Sequence, residues 1–174
     1  MMRALLLSAM LVCGTAHAES RAVSSAVGVA LGAAALHSGA GEHPAAPVGG
    51  AWGRLAVSDA CYVEAEAAGS WWMYGGSLAN FDQRWARGAL SLGCSAGTRA
   101  TRVAASLGPA VSLRSTGIDA QKYWRANSVQ PGLRYRMGFL VPVGERWQVD
   151  ILMGGSTHGW VFDHDLLLQG GVRW

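Results

Sequence analysis

Read at every second position, residues 128–141 separate into two rows. Val129, Leu133, Tyr135, Met137, Phe139 and Val141, with Pro131 among them, form one; Ser128, Gln130, Gly132, Arg134, Arg136 and Gly138 form the other. A period of two with one apolar row belongs to a strand that is greasy on one face only. The same alternation predicts eight strands, over residues 23–35, 51–57, 61–74, 83–94, 99–111, 128–141, 147–153 and 162–174. In the first of these an Ala-rich helix competes on propensity, but repeated Gly and the clean alternation favour a strand. Pro109 lies inside the fifth run, where its missing N–H predicts a bulge or the strand's end. The connections alternate in length: residues 37–50, 75–82, 112–127 and 154–161 are long, whereas 58–60, 95–98 and 142–146 are short.

The polar rows carry charge. Arg54, Glu64, Glu66, Arg87, Arg102, Arg134, Arg136, Asp150 and Arg173 lie opposite apolar rows, with Gln130, Gln148 and Gln169 between them. Charges facing away from an apolar surface must look into something polar, and if buried they persist only when paired. Eight strands closed on themselves enclose a space that side chains can fill. The expectation is a salt-bridged interior in which Glu64 and Glu66 are counterions to Arg87 and Arg102; a narrow ion or water path is the alternative.

The last strand ends the sequence on an aromatic, with Leu166, Leu168, Val172 and Trp174 on one row. This pattern resembles the closing strand and assembly signal of bacterial outer-membrane β-barrels, although Gly170 stands where that signal has a larger apolar residue and Leu167 interrupts the polar row. With the alternating connection lengths, the chain resembles the small eight-stranded outer-membrane barrels of the OmpA type. The resemblance implies an all-β fold, an eight-stranded antiparallel up-and-down transmembrane β-barrel. Both termini and three tight turns would then be periplasmic and four longer connections external. It further implies contact with outer-membrane lipid, recognition of the C-terminal strand by the barrel-assembly machinery, and a monomer.

Composition fits that picture: 51% of the 174 residues are hydrophobic and 14% charged. Arg3, the apolar run of residues 4–12 and Ala16-His17-Ala18 read as a secretory signal peptide cleaved after Ala18, so residues 1–18 are targeting sequence and 19–174 the barrel domain of the cell outer membrane. The remainder holds 13 basic and 11 acidic residues, a balance that gives no electrostatic case for nucleic acid. Beyond the signal no apolar run reaches the ~20 residues of a spanning helix. If the chain folds symmetrically about Ser77 and Leu78, Cys61 and Cys94 fall opposite each other, a disulfide in an exported protein.

Trp52, Trp71, Trp72, Tyr74, Trp85, Tyr123, Trp124, Trp147, Trp160 and Trp174 fall mainly near strand ends, as an interfacial girdle would, while Trp52 and Trp85 on the polar rows suit inward packing. His37, His43, His158, Asp163, His164 and Asp165 are metal-ligand types without ligand spacing, so no metal or cofactor is predicted. Ser156, His158 and Asp163 supply the residue types for acyl hydrolysis, with no family motif around them. The function expected is therefore structural or surface-interacting, through the external loops. A lipid-modifying acyl hydrolase and a narrow channel are the alternatives.

Overall fold

The computed structural model describes residues 23–38, 41–76, 79–118, 123–158 and 161–174. The signal segment and Trp160 lie outside these, as do the side chains of His37, His43, Trp71, Trp72, Tyr74, Tyr123 and Trp124. Eight strands follow one another: β1 (Ala26–Ser38), β2 (Gly41–Ala56), β3 (Cys61–Gly76), β4 (Ala79–Gly97), β5 (Arg102–Ile118), β6 (Tyr123–Val143), β7 (Trp147–His158) and β8 (Val161–Arg173). Each pairs with its sequence neighbour, and β1 pairs antiparallel with β8, closing an up-and-down barrel.

Alternation sets the two faces. Leu31, Leu55, Leu92, Val129, Phe139, Ile151 and Leu168 point outward and are between 48% and 70% exposed. The charged row is buried. β1 differs from the other strands: its described inner row is Ala26, Gly28, Ala30, Gly32 and Ala34, backed by Trp52. Leu167 and Leu152, which break polar rows in the sequence, fill inner apolar clusters, one with Ala34, Val48, Ala68 and Trp85, the other with Val23, Tyr62, Ala104 and Leu140.

The three short turns are as expected to within a few residues. Ser58 Oγ accepts from Cys61 N at 3.0 Å, and Thr98 Oγ1 accepts from Ala100 N and Thr101 N at 3.3 Å, side chains that hold the turn backbone. Gly144, in the turn between β6 and β7, has φ of 63°, the left-handed region that glycine enters without penalty.

At the other end the expected loops are mostly strand. Residues 41–50, 112–118, 123–127 and 154–158 all continue ladders. Pro44 does not end β2, because it lies in a bulge where the register with β1 shifts between Ala34 and Leu36, and a bulge needs no donor from it. Pro109 is neither at a bulge nor at an end: pairing of β5 with β4 lapses opposite Leu90 and Ser91 and resumes in the same register at Leu92↔Leu107, while pairing with β6 runs through Pro109↔Leu133.

This extension makes the rim uneven. β3 to β6 are 16 to 21 residues long, but β7, β8 and β1 only 12 or 13. Pairing of β2 with β3 stops at Gly49↔Gly69, and pairing of β6 with β7 stops at Leu133↔Thr157. In the backbone ladder the upper part of β3, residues 70–76, thus pairs only with β4, and residues 123–132 of β6 only with β5.

Candidate functional site: the charged lumen

The register that puts charge inside also fixes its partners. Arg54 and Glu64 are directly opposite on β2 and β3, and Arg54 donates to Glu64 Oε2 from Nε at 2.9 Å and Nη2 at 2.6 Å. Across the lumen, Arg54 Nη2 reaches Asp150 Oδ2 of β7 at 3.0 Å. Its guanidinium lies against the rings of Trp52 and Tyr62, 5.0 and 4.6 Å from their centroids, which replaces water with a cation–π environment.

Glu66 gathers three cations. Arg87 Nη2 binds its Oε1 at 2.7 Å, while Arg136 Nη1 and Arg134 Nη2 reach Oε2 at 2.8 and 3.4 Å. Arg136 also pairs with Glu64. Arg87 continues to Asp163 at 3.1 Å and Asp165 at 2.8 Å on β8, and Arg134 binds Asp165 at 2.8 Å. Nine ionised side chains from six strands therefore form one continuous network, each no more than 6% exposed. Buried charge of this density is tolerable only because each member has an opposite partner.

Parity predicted seven of these nine residues, but two predicted members lie elsewhere. Arg102 is a counterion to neither Glu64 nor Glu66: it sits at the short-turn end, donating to Ser95 Oγ at 2.9 Å and to the carbonyls of Asp59 and Ser95 at 3.1 Å. Arg173 donates to the Gly144 carbonyl at the same end. The sequence reading missed Asp163 and Asp165 as members, although both share the row of Gln169 and Arg173.

Ser156, His158 and Asp163 do come together, buried and in the wrong order for acyl transfer. Asp163 Oδ2 lies 2.6 Å from Ser156 Oγ, and a carboxylate paired with Arg87 can only accept, so the hydroxyl proton goes to it. Ser156 Oγ must then accept from His158 Nε2 at 2.9 Å and Arg87 Nη1 at 3.2 Å. A nucleophilic serine requires the imidazole to take its proton, with the carboxylate behind the imidazole; here serine is the middle member. The residues of metal-ligand type divide as well: His158, Asp163 and Asp165 point inward, while His164 is outside, 3.1 Å from the Tyr135 hydroxyl.

Cys61 and Cys94 are paired residues of β3 and β4 and form a disulfide. Ser95 N donates to Ala60 O at 2.7 Å, the bond that flanks a non-hydrogen-bonded pair, where cross-strand side chains approach most closely. Of the aromatic residues proposed for a girdle, Trp147 and Trp174 are 60% and 72% exposed, whereas Trp52 and Trp85 are buried.

The barrel has close counterparts among solved structures. Neisserial surface protein A superposes with a TM-score of 0.69 over 86% of this chain and 97% of that one, at 13% identity. Ail, the attachment invasion locus protein of Yersinia pestis, matches with a TM-score of 0.63 over 88% of this chain and 99% of its own, also at 13% identity. The N-terminal β-barrel domain of Pseudomonas aeruginosa OprF matches at 0.54 over 87% of this chain and all of that domain, at 12% identity. These likenesses establish the fold. No family model and no curated protein matches the sequence.

Proposed function

We propose that this chain is an outer-membrane barrel whose lumen is closed by its own ion pairs and whose interactions are carried by the raised rim of β3 to β6. The observation that carries the reading is the inversion of polarity: large apolar side chains cover the outside while nine ionised groups are sequestered inside. A water-soluble monomer does not expose apolar surface on this scale, and a barrel in hydrocarbon must. A lumen crossed by Arg54–Asp150 and Arg87–Asp165 leaves no steady path for ions.

The rim supports the second half of the proposal. On the upper parts of β3 and β6 no second ladder partner is present among the described residues, the feature by which a sheet recruits an extended partner segment. Attachment, the role in the name of the Yersinia barrel, is of the kind such a rim fits. The chain would be exported by cleavage after Ala18 and assembled through its C-terminal strand.

Two measurements test this. Planar-bilayer recording of the refolded protein should give no steady conductance, and a steady large conductance would overturn the closed lumen. Single cysteines placed in a background lacking Cys61 and Cys94 should react with an impermeant reagent on whole cells at Ser115 and not at Asp59; the reverse would invert the orientation.

A further inference from the structure

The Cys61–Cys94 disulfide lies on the outer face, on the same rows as Val63 and Leu92. Cys94 stands three residues above Gly97, the end of β4, which is about 7 Å along the axis for a tilted strand. Trp147 and Trp174, the exposed aromatic residues of this end, stand at the strand ends themselves, one opening β7 and the other following β8. Aromatic side chains of a barrel mark the boundary between headgroups and hydrocarbon, so the bond lies on the hydrocarbon side of that boundary. Exposed Val57, Leu92 and Val103 continue the apolar surface around it. The other sides are closed by protein. On the inner face the next opposed pair is Tyr62 and Gly93, with the ring packed against the glycine where a Cβ would collide with it. Toward the turns, Ser95 N donates to Ala60 O at 2.7 Å and closes the ladder.

We infer that this disulfide is made before the barrel is assembled, by exchange with the disulfide of a protein thiol oxidant that meets the chain while β3 and β4 are still in water. The inference rests on the proposal that the chain is an outer-membrane barrel. Exchange requires a thiolate at the attacking sulfur, and carrying that charge into hydrocarbon is costly. In water the step is open and balanced. One cysteine thiolate attacks a sulfur of the oxidant and displaces the first of its two thiolates; the second cysteine thiolate then attacks the mixed disulfide and displaces the other. The chain gives up two electrons and two protons, and the oxidant passes from disulfide to dithiol. The chain thus enters assembly with Cys61 already fixed opposite Cys94, and the assembled wall afterwards shields the bond from reductants dissolved in water.

The full-length mature protein is inserted into nanodiscs of phosphatidylcholine, which leave both faces of the bilayer in buffer, and insertion is scored first by heat-modifiable gel mobility. Inserted oxidised protein is then treated with reduced glutathione, and inserted reduced protein with oxidised glutathione, charged reagents that stay in water. Free thiols are alkylated and counted by mass spectrometry over time. Both reactions should run at least about a hundredfold slower than with the same chain unfolded in urea, because the attacking thiolate is excluded from the site. Asp59→Cys, in a background carrying Cys61→Ala and Cys94→Ala, should form its mixed disulfide with oxidised glutathione at close to the unfolded rate, since Asp59 is exposed in the turn below. If the reduced chain does not insert, the first reaction alone decides. Slowing that falls short of a hundredfold in an inserted protein overturns the inference and leaves the membrane reading standing. A chain that stays soluble without lipid overturns the membrane reading, and the inference with it.

Discussion

Replacing Arg87 with Gln removes the cation that three carboxylates share. Its guanidinium binds Glu66 at 2.7 Å, Asp165 at 2.8 Å and Asp163 at 3.1 Å, and also supports Ser156 Oγ at 3.2 Å. Glu66 keeps Arg134 and Arg136, and Asp165 keeps Arg134, but Asp163 is left with Ser156 alone among the contacts described above. Removing one partner of a buried pair costs about 3–5 kcal/mol. With one carboxylate losing Arg87 and two still paired with other arginines, a loss of ~4 kcal/mol is expected. In reversible urea unfolding from lipid vesicles, with a slope of about 2 kcal/mol per molar, the midpoint should fall by roughly 2 M. The eight tryptophans provide the fluorescence signal. Glu145→Gln, in an exposed turn, should stay within about 0.5 kcal/mol of wild type. Adding Asp163→Asn to Arg87→Gln should cost less than the two single losses summed, because the carboxylate that loses Arg87 is then itself neutral. An Arg87→Gln variant within 1 kcal/mol of wild type, or a strictly additive pair, would refute the view that these contacts act as one network.

Three further outcomes follow from other sites. A Cβ at Gly93 would lie 2.3 to 2.6 Å from the ring atoms of Tyr62, so Gly93→Ala should destabilise by about 1–3 kcal/mol, with Tyr62→Leu restoring part of the loss in the same unfolding assay. The Cys61–Cys94 bond spans 33 positions, so Cys61→Ser should cost about 3 kcal/mol on chain-entropy grounds, and reductant should move wild type to the same midpoint. Overproduction of wild type and of Ser156→Ala should leave the acyl chains of the outer-leaflet lipid identical by mass spectrometry; a change seen only with wild type would restore the hydrolase reading.

Face was legible in the sequence and height was not. A strict period of two tells which side of the sheet Arg54, Glu66 or Arg134 occupies, and a closed barrel turns that side into the interior. Parity carries no information about position along the axis, which depends on strand tilt and stagger. That is why Arg102 and Arg173 share the correct face with the network yet belong to the mouth, and why Glu64 pairs with Arg54 and Arg136 rather than with Arg87 or Arg102. Strand length was hidden for another reason. Pro44, Pro47 and the neighbouring glycines have loop composition, but a bulge absorbs the first proline and Pro47 keeps its pairing with Ala33, so composition there described turn propensity and not the ladder. Asp163 and Asp165 were concealed by His164 between them, which made the stretch look like one polar cluster instead of two inward residues flanking an outward one.

The plain inner row of β1 has a consequence for how the circle is completed. Among the described residues, six of the nine ion pairs in the lumen join strands β2 to β4 with β6 to β8 and three lie within those groups, and β1 contributes none. No described ion pair therefore ties β1 to the strand on either side of it. Docking its inner row over residues 26–34 orders almost no side-chain rotamers, since Ala and Gly have none to lose. The seam where first and last strands meet is thus held by backbone ladders and by close Gly and Ala contacts, while the charged interior braces the wall from across the lumen.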